Sequence, residues 1–248
     1  MFAIFKKELR SYFINAIGFV FVGVFLALSA LLCCYTTLSA KSYDTSLYFT
    51  LMIFSFIVLI PLLTMKLFAE EKKLRTEQLL MTAPVSVWGM TLGKYFAAFA
   101  LFLGCVLVSC INFFPLYVFG RTEALSSTSS TMHVGPITGQ IIACVIGLIL
   151  IGAAFIAIGM FVSSLTENQL AAAVITVVII LVMLILDRVN SFIDVYAVRF
   201  VISWVCVLSR FNNFTSGILD YSDILYYLSI TGVFLLLTVR VYDKRRWG

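Results

Sequence analysis

Apolar residues run almost unbroken through six stretches of this chain, at roughly 17–38, 47–65, 95–119, 137–163, 169–187 and 223–240. Each is close to or above the ~20 residues that an α-helix needs to cross a bilayer. The runs are continuous rather than alternating, which excludes a transmembrane β-barrel. In hydrocarbon every backbone polar group must pair within the segment, so the six runs are expected to be helices. The expected fold class is therefore an all-α integral membrane protein of six transmembrane helices, forming a single domain over 1–248.

The polar segments between the runs carry their own patterns. In 1–15, Phe2, Phe5, Leu9 and Tyr12 recur at helical spacing, while Lys6, Lys7, Glu8 and Arg10 lie largely elsewhere. That pattern predicts a helix lying along a membrane surface. The segment 66–94 is the densest charged block of the chain. In its first half, Leu74, Glu77, Leu80 and Met81 share about a third of a helix circumference between Glu71 and Thr82. Pro84 is expected to end that helix, and Ser86 to cap the next. The turn Ser163 to Asn168 is short enough to force an antiparallel hairpin, and Thr166 and Gln169 have capping-box spacing. Gly152, Gly159, Ala153 and Ala157 offer small surfaces for close helix contact. The outer segment 188–222 contains an apolar stretch, Val195–Leu208, that includes Arg199 and is too short to span; it is expected to be re-entrant.

Composition agrees with the pattern. The chain is 62% hydrophobic and 12% charged, with a mean hydropathy of +1.09. Soluble domains are roughly half apolar and about a quarter charged. That excludes a soluble globule, and the apolar content excludes disorder. Orientation follows from the cations. With six spans both termini share a side, together with Lys6, Lys7, Arg10, Lys66, Lys72, Lys73, Arg75, Lys94, Arg240, Lys244, Arg245 and Arg246, twelve of the 17 Lys and Arg. The other five are Lys41, Arg121, Arg188, Arg199 and Arg210. The richer side is expected to be cytoplasmic. The net charge of +5 is then a topology signal, and no nucleic-acid partner is expected. No small-residue cleavage site follows the first apolar run, so no cleaved leader is expected.

The chain is poor in the residues that carry chemistry. Its six cysteines lie in or beside apolar runs with no CxxC or Cys/His cluster, and His133 is its one histidine. Neither a disulfide framework, a metal site, a cofactor nor a hydrolytic centre is expected. Gly89 to Lys94 looks superficially like a phosphate loop, but it has three residues between the glycines and Tyr95 where Ser or Thr should follow. The spans, between their ends, are nearly free of ionisable residues, which argues against ion coupling. Such a body either does no work or is driven by a partner. The 66–94 segment is the one sizeable surface for that partner.

Several motifs occur in order along the chain: Phe5-Lys6-Lys7-Glu8 with Gly18, Phe68-Ala69-Glu70-Glu71-Lys72, Leu79-Leu80, Thr82, Pro84 to Ser86, Leu92-Gly93-Lys94-Tyr95, Ser163 to Gln169, and Ser216 to Asp220 with Asp223. In this the chain resembles the membrane subunits of ABC-2 type ATP-binding-cassette transporters, and looks most like the gliding-motility-type permeases. The resemblance implies an N-terminal elbow helix, six spans, a cytoplasmic coupling helix between spans 2 and 3, and re-entrant half-helices between spans 5 and 6. It also implies a separate ATPase subunit, a second permease copy or paralogue, and a bacterial cytoplasmic membrane with both termini inside. The chain itself would hold no ATP site and would act as a permease, an exporter; an anchor that recruits an ATPase complex without transport is the alternative. The coupling positions carried over are Glu70, Glu71, Arg75, Thr76, Glu77, Leu79, Leu80 and Pro84. One departure falls among them. Family members usually have Gly-Thr-x-Glu where this chain has Arg75-Thr76-Glu77-Gln78.

Overall fold

The computed structural model describes residues 1–14, 16–38, 43–75, 86–126, 136–190 and 206–247. Helix α1 (Phe2–Ile14) precedes α2 (Ala16–Cys33), which runs on into a π turn at Cys34–Leu38. Then come α3 (Ser46–Thr64), the short α4 (Ala69–Lys73), and α5 (Val87–Ser109). A 3-10 turn, Cys110–Phe113, joins α5 to α6 (Phe114–Ser126). The chain finishes with α7 (Thr138–Leu165), α8 (Gln169–Asn190), α9 (Leu208–Thr215) and α10 (Tyr221–Trp247). The described residues contain no strand. Among the described residues, six helical segments are long and apolar enough to cross a membrane: Ala16–Thr37, Ser46–Lys73, Val87–Gly120, Thr138–Leu165, Gln169–Asp187 and Tyr221–Arg245.

Five of the six match their hydrophobic runs to within five residues, with α3 taken for the second. The third departs. The apolar run is 95–119, but α5 begins at Val87, where the expected N-cap Ser86 accepts from Gly89 N at 3.1 Å. Lys94 therefore lies inside the helix, and its side chain is only 1% exposed. Its charge marks a boundary in the sequence but not in the fold. The far end of the same segment is broken by Pro115, which has no N–H for the carbonyl of Ile111; Phe114 N takes that carbonyl instead, and the turn tightens to 3-10.

Helix α7 is the axis of the bundle. Nearly three quarters of its apolar stretch is buried (72%), more than in any of the other five spans. It packs against α3, α5, α8, α9 and α10. Small residues permit this. A Cβ on Gly159 would lie 2.3 Å from Thr64 Oγ1, and one on Gly152 2.2 Å from the Phe102 ring. Phe102 cannot swing aside, because it is packed edge-on against Phe25 and Phe56. With lipid as apolar as the side chains, such contacts bind helices by close packing rather than by expulsion of water.

The turn between α7 and α8 is a hairpin as expected, but its cap differs. Asn168 Oδ1 accepts from Leu170 N at 3.0 Å, so Asn168 caps α8. Thr166 ends α7 and bonds back to Val162 O at 3.4 Å. Capping-box spacing was present without the box because the helix starts two residues later than that spacing requires. At the opposite end, α9 is held by residues of three helices, α7, α8 and α10. Asp187 accepts from the backbone N–H of Leu208 and, at 3.1 Å, of Ser209. Asp223 receives Arg210 at 3.2 Å and Asn213 at 2.7 Å. Gln140 donates to Thr215 O at 2.8 Å, and Tyr227 to Val207 O at 2.8 Å. Gly217, with φ of 76°, then reverses the chain. Eight residues cannot cross a bilayer, so α9 lies against the bundle end; 191–205, where most of the apolar stretch Val195–Leu208 falls, are outside the described residues.

The close contacts make a prediction. Gly159→Ala should destabilise the purified protein in micelles by about 1–3 kcal/mol, as overpacking does. Gly232→Ala, whose Cβ would meet nothing within 4 Å, should leave it unchanged or slightly more stable. Chemical unfolding followed by circular dichroism distinguishes them.

Candidate functional site: a buried cation at the charged end

One of the two glutamates that open the 66–94 segment, Glu71, is brought against α1 and α5 by one side chain. The Lys94 ammonium lies 3.0 Å from Glu8 Oε1 on α1 and 2.8 Å from Glu71 Oε1 on α4. It also donates to Leu67 O at 2.9 Å, and it stands 5.2 Å from the centroid of the Phe68 ring. An ammonium has three donors, and all three are used. Two carboxylates on one cation leave a net negative charge, which Lys7 offsets from the rim at 3.8 Å from Glu71 and 3.9 Å from Glu8. Lys7 is 64% exposed, so those outer pairs are weak. The inner ones are not screened in the same way, because the cation has no contact with bulk water.

Backbone fit brings α1 to this place. A Cβ on Gly93 would sit 3.2 Å from Met1 O and Ile4 Cγ2, and one on Gly18 only 2.1 Å from Tyr12 O. Both positions need a residue without a side chain for α1 to fold back on α2 and α5. Tyr12 then donates to Leu63 O at 3.1 Å. Burial, with the charges of Glu8 and then Glu70 nearby, holds its phenol well above the usual tyrosine range, so it stays a donor.

A second set of contacts joins α4 to the α7–α8 hairpin. Ser163 Oγ accepts from Phe68 N and Ala69 N, both at 3.1 Å, and it donates to Met65 O at 3.3 Å. A residue 94 positions away thus caps α4. Lys72, itself buried, donates its ammonium to Ser164 O. The C-terminal helix joins the same end, where Tyr242 stacks on Phe68 at 4.7 Å.

The coupling positions named from sequence divide accordingly. Glu71 is turned inward onto Lys94, whereas Glu70 is half-exposed and lies 3.8 Å from Lys66. Thr76, Glu77, Leu79, Leu80 and Pro84 lie outside the described residues. Arg75 closes the described part of the segment with φ of 55°, the left-handed region. The helix expected over Glu71–Thr82 is therefore not continuous. It stops at Lys73, with Arg75 N bonded to Lys72 O at 3.0 Å, and Arg75 occupies the position after the cap, where glycine is favoured. The Gly-to-Arg departure falls on the residue with the least suitable backbone. Sequence reasoning missed Glu8, Lys94, Ser163 and Ser164 as members of the site. Each stood within one of the motifs, but no periodicity links positions that far apart.

Six apolar spans with α7 as their axis, and a charged hub at one end, define a multi-pass helical membrane protein. A family model described as ABC-2 family transporter protein matches residues 28–239. That span is most of the 248 residues, and the chain belongs to the ABC-2 family transporters. It is an ABC transporter permease, the membrane component rather than the ATPase domain, and permeases of this family generally work with an ABC ATPase subunit. No curated protein gives a significant match to it. The matched region includes Glu71, Lys94 and Ser163 and leaves α1, with Glu8, outside.

Two tests follow. Lys94→Met should cost about 3 kcal/mol, because it leaves two carboxylates facing each other. The triple change Lys94→Met, Glu8→Gln, Glu71→Gln should recover most of that loss; melting points in micelles read both. Arg75→Gly should raise the melting point, since a left-handed residue with a side chain costs about 1–2 kcal/mol, and Arg75→Val should lower it.

Proposed function

We propose that this permease is driven by a separate ATPase subunit docking on 66–94, and that this segment is the coupling element of the complex. Glu70, Arg75, Thr76, Glu77, Leu79, Leu80 and Pro84 would face the ATPase. Glu71 would instead pass its movement inward. The observation that carries this reading is the Lys94 hub with the Ser163 cap. Between them they fasten α4 to α1, α5 and α7, so a displacement of the segment cannot stay local. The mechanism is a difference in ATPase contact between two arrangements of the helices, which shifts their populations.

In this reading the charged end is cytoplasmic. Lys6, Lys7, Arg10, Lys66, Lys72, Lys73, Arg75 and Lys94 all belong to elements at that end, as the distribution of cations in bacterial cytoplasmic membranes requires. Helix α1 is then an elbow helix along the inner surface, and 188–222 an external re-entrant segment. The motif order supports a permease of the gliding-motility type acting in export, paired with a second copy or paralogue.

The segment itself provides the test. Leu79→Asp or Leu80→Asp should abolish co-purification of the ATPase while the permease still inserts in the membrane. Normal co-purification would refute the docking assignment. An ATPase that binds the wild type, but hydrolyses ATP at the same rate with and without the permease, would instead indicate an anchor.

A further inference from the structure

Helix α1 does more than present Glu8. Around its axis the buried arc holds Ile4, Glu8 and Tyr12, and the exposed arc holds Phe2, Lys6, Lys7, Arg10 and Phe13. Glu8 is the one acidic residue of α1, and Lys94 draws it inward. The exposed arc is therefore purely cationic, and Lys6, Lys7 and Arg10 border an open cleft of about 660 Å³. Among the described residues, neither Lys6 nor Arg10 is within ion-pair distance of a carboxylate.

A second cavity, of about 350 Å³, begins on the adjoining edge of the same helix. It is an apolar groove between α1, α2 and α5, lined by Leu9, Phe13, Leu26, Leu101, Gly104 and Val108 among others. A Cβ on Gly104 would meet nothing within 4 Å, so the groove is open at that point rather than filled by a neighbour. From Ala100 to Val108 it follows α5 for about 12 Å, against about 15 Å for the hydrocarbon of one leaflet. Lys6 stands three residues before Leu9, and Arg10 three before Phe13, so each aromatic or aliphatic lip of the groove has a cation beside it on the helix surface.

We infer that this groove is a binding site for an anionic glycerophospholipid, with an acyl chain along Leu101, Gly104 and Val108 and the phosphate between Lys6 and Arg10. Charge complementarity selects this occupant. An apolar helix of a second chain would fill the groove but would leave both cations unmatched, and a zwitterionic lipid would gain less from them. The inference is independent of any ATPase, because none of the residues lining the groove, nor Lys6 or Arg10, belongs to the segment 66–94.

Native mass spectrometry of the full-length chain in dodecyl maltoside, given equal amounts of palmitoyl-oleoyl phosphatidylglycerol and phosphatidylcholine, tests this. The wild type should retain phosphatidylglycerol about 30-fold in preference, equal to about 2 kcal/mol for two cations at the membrane surface. Lys6→Gln with Arg10→Gln should bring the ratio close to one. Gly104→Trp should reduce retention of both lipids at an unchanged melting point, and Gly104→Leu serves if the tryptophan variant does not fold. Equal retention by the wild type overturns the inference, as does a preference that survives both variants. Loss of preference in the glutamine variant with retention untouched by Gly104→Trp would mean a surface patch without a chain in the groove. A changed dimer fraction in Gly104→Trp with lipid unaffected would assign the groove to a second copy.

Discussion

The arrangement at the charged end depends on the need to keep a buried ammonium paired. Lys94 is in the interior of a helix and at the edge of an apolar bundle, where an unpaired cation would cost several kcal/mol even after relaxation. Its three donors cannot be satisfied by any one neighbour. They draw in a carboxylate from α1, a carboxylate from α4 and the carbonyl of Leu67. Remove the ammonium and Glu8 loses its buried partner, which leaves the Tyr12 bond to Leu63 O to hold that side of α1 toward the bundle. The glycine contacts of Gly18 and Gly93 are the complement of this electrostatic demand, since they let the backbone approach to where the pairs can form.

The far end of the bundle uses the same device with the charges exchanged. There the buried group is an anion, Asp223, 4% exposed, and its partners Arg210 and Asn213 come from the short helix α9. Arg210 also stacks on Tyr226 at 4.3 Å. At each end, then, an ionised residue on a long spanning helix helps to fix a short element too small to be stable alone. Between the ends, contacts are mainly apolar and close, with α7 against nearly everything else.

The sequence carries the spans plainly, because hydropathy is a local property and lipid imposes it residue by residue. It carries Ser86 as a cap and the glycines of α7 as packing positions for the same reason. It starts the third span at 95, eight residues inside the helix that Ser86 caps, because a lysine in an apolar run is read as an edge. Its neutralising partners Glu8 and Glu71 lie 86 and 23 positions away, out of reach of any periodic pattern. The cap of α8 is misread by two residues because several side chains in Ser163–Asn168 are competent to cap. Of the coupling positions, Glu71 was legible as important but not as inward-facing, since helical spacing alone does not tell which face a partner helix will cover. The Arg75 departure was visible as a substitution, and only the backbone explains why it matters.

Ser163 has a consequence for the order in which the protein is made. Helix α4 is five residues long, and its first N–H groups are satisfied by a hydroxyl that is synthesised more than ninety residues later. A helix so short does not persist by itself. While the first three spans are entering the membrane, α4 has neither its cap nor the carbonyl of Ser164 that receives Lys72. It can take its final form only when the α7–α8 hairpin has been inserted and packed beside it. The fold of α4 thereby reports on the completion of spans four and five, and a partner that recognises its shape would meet it only on chains that have passed that stage of biogenesis.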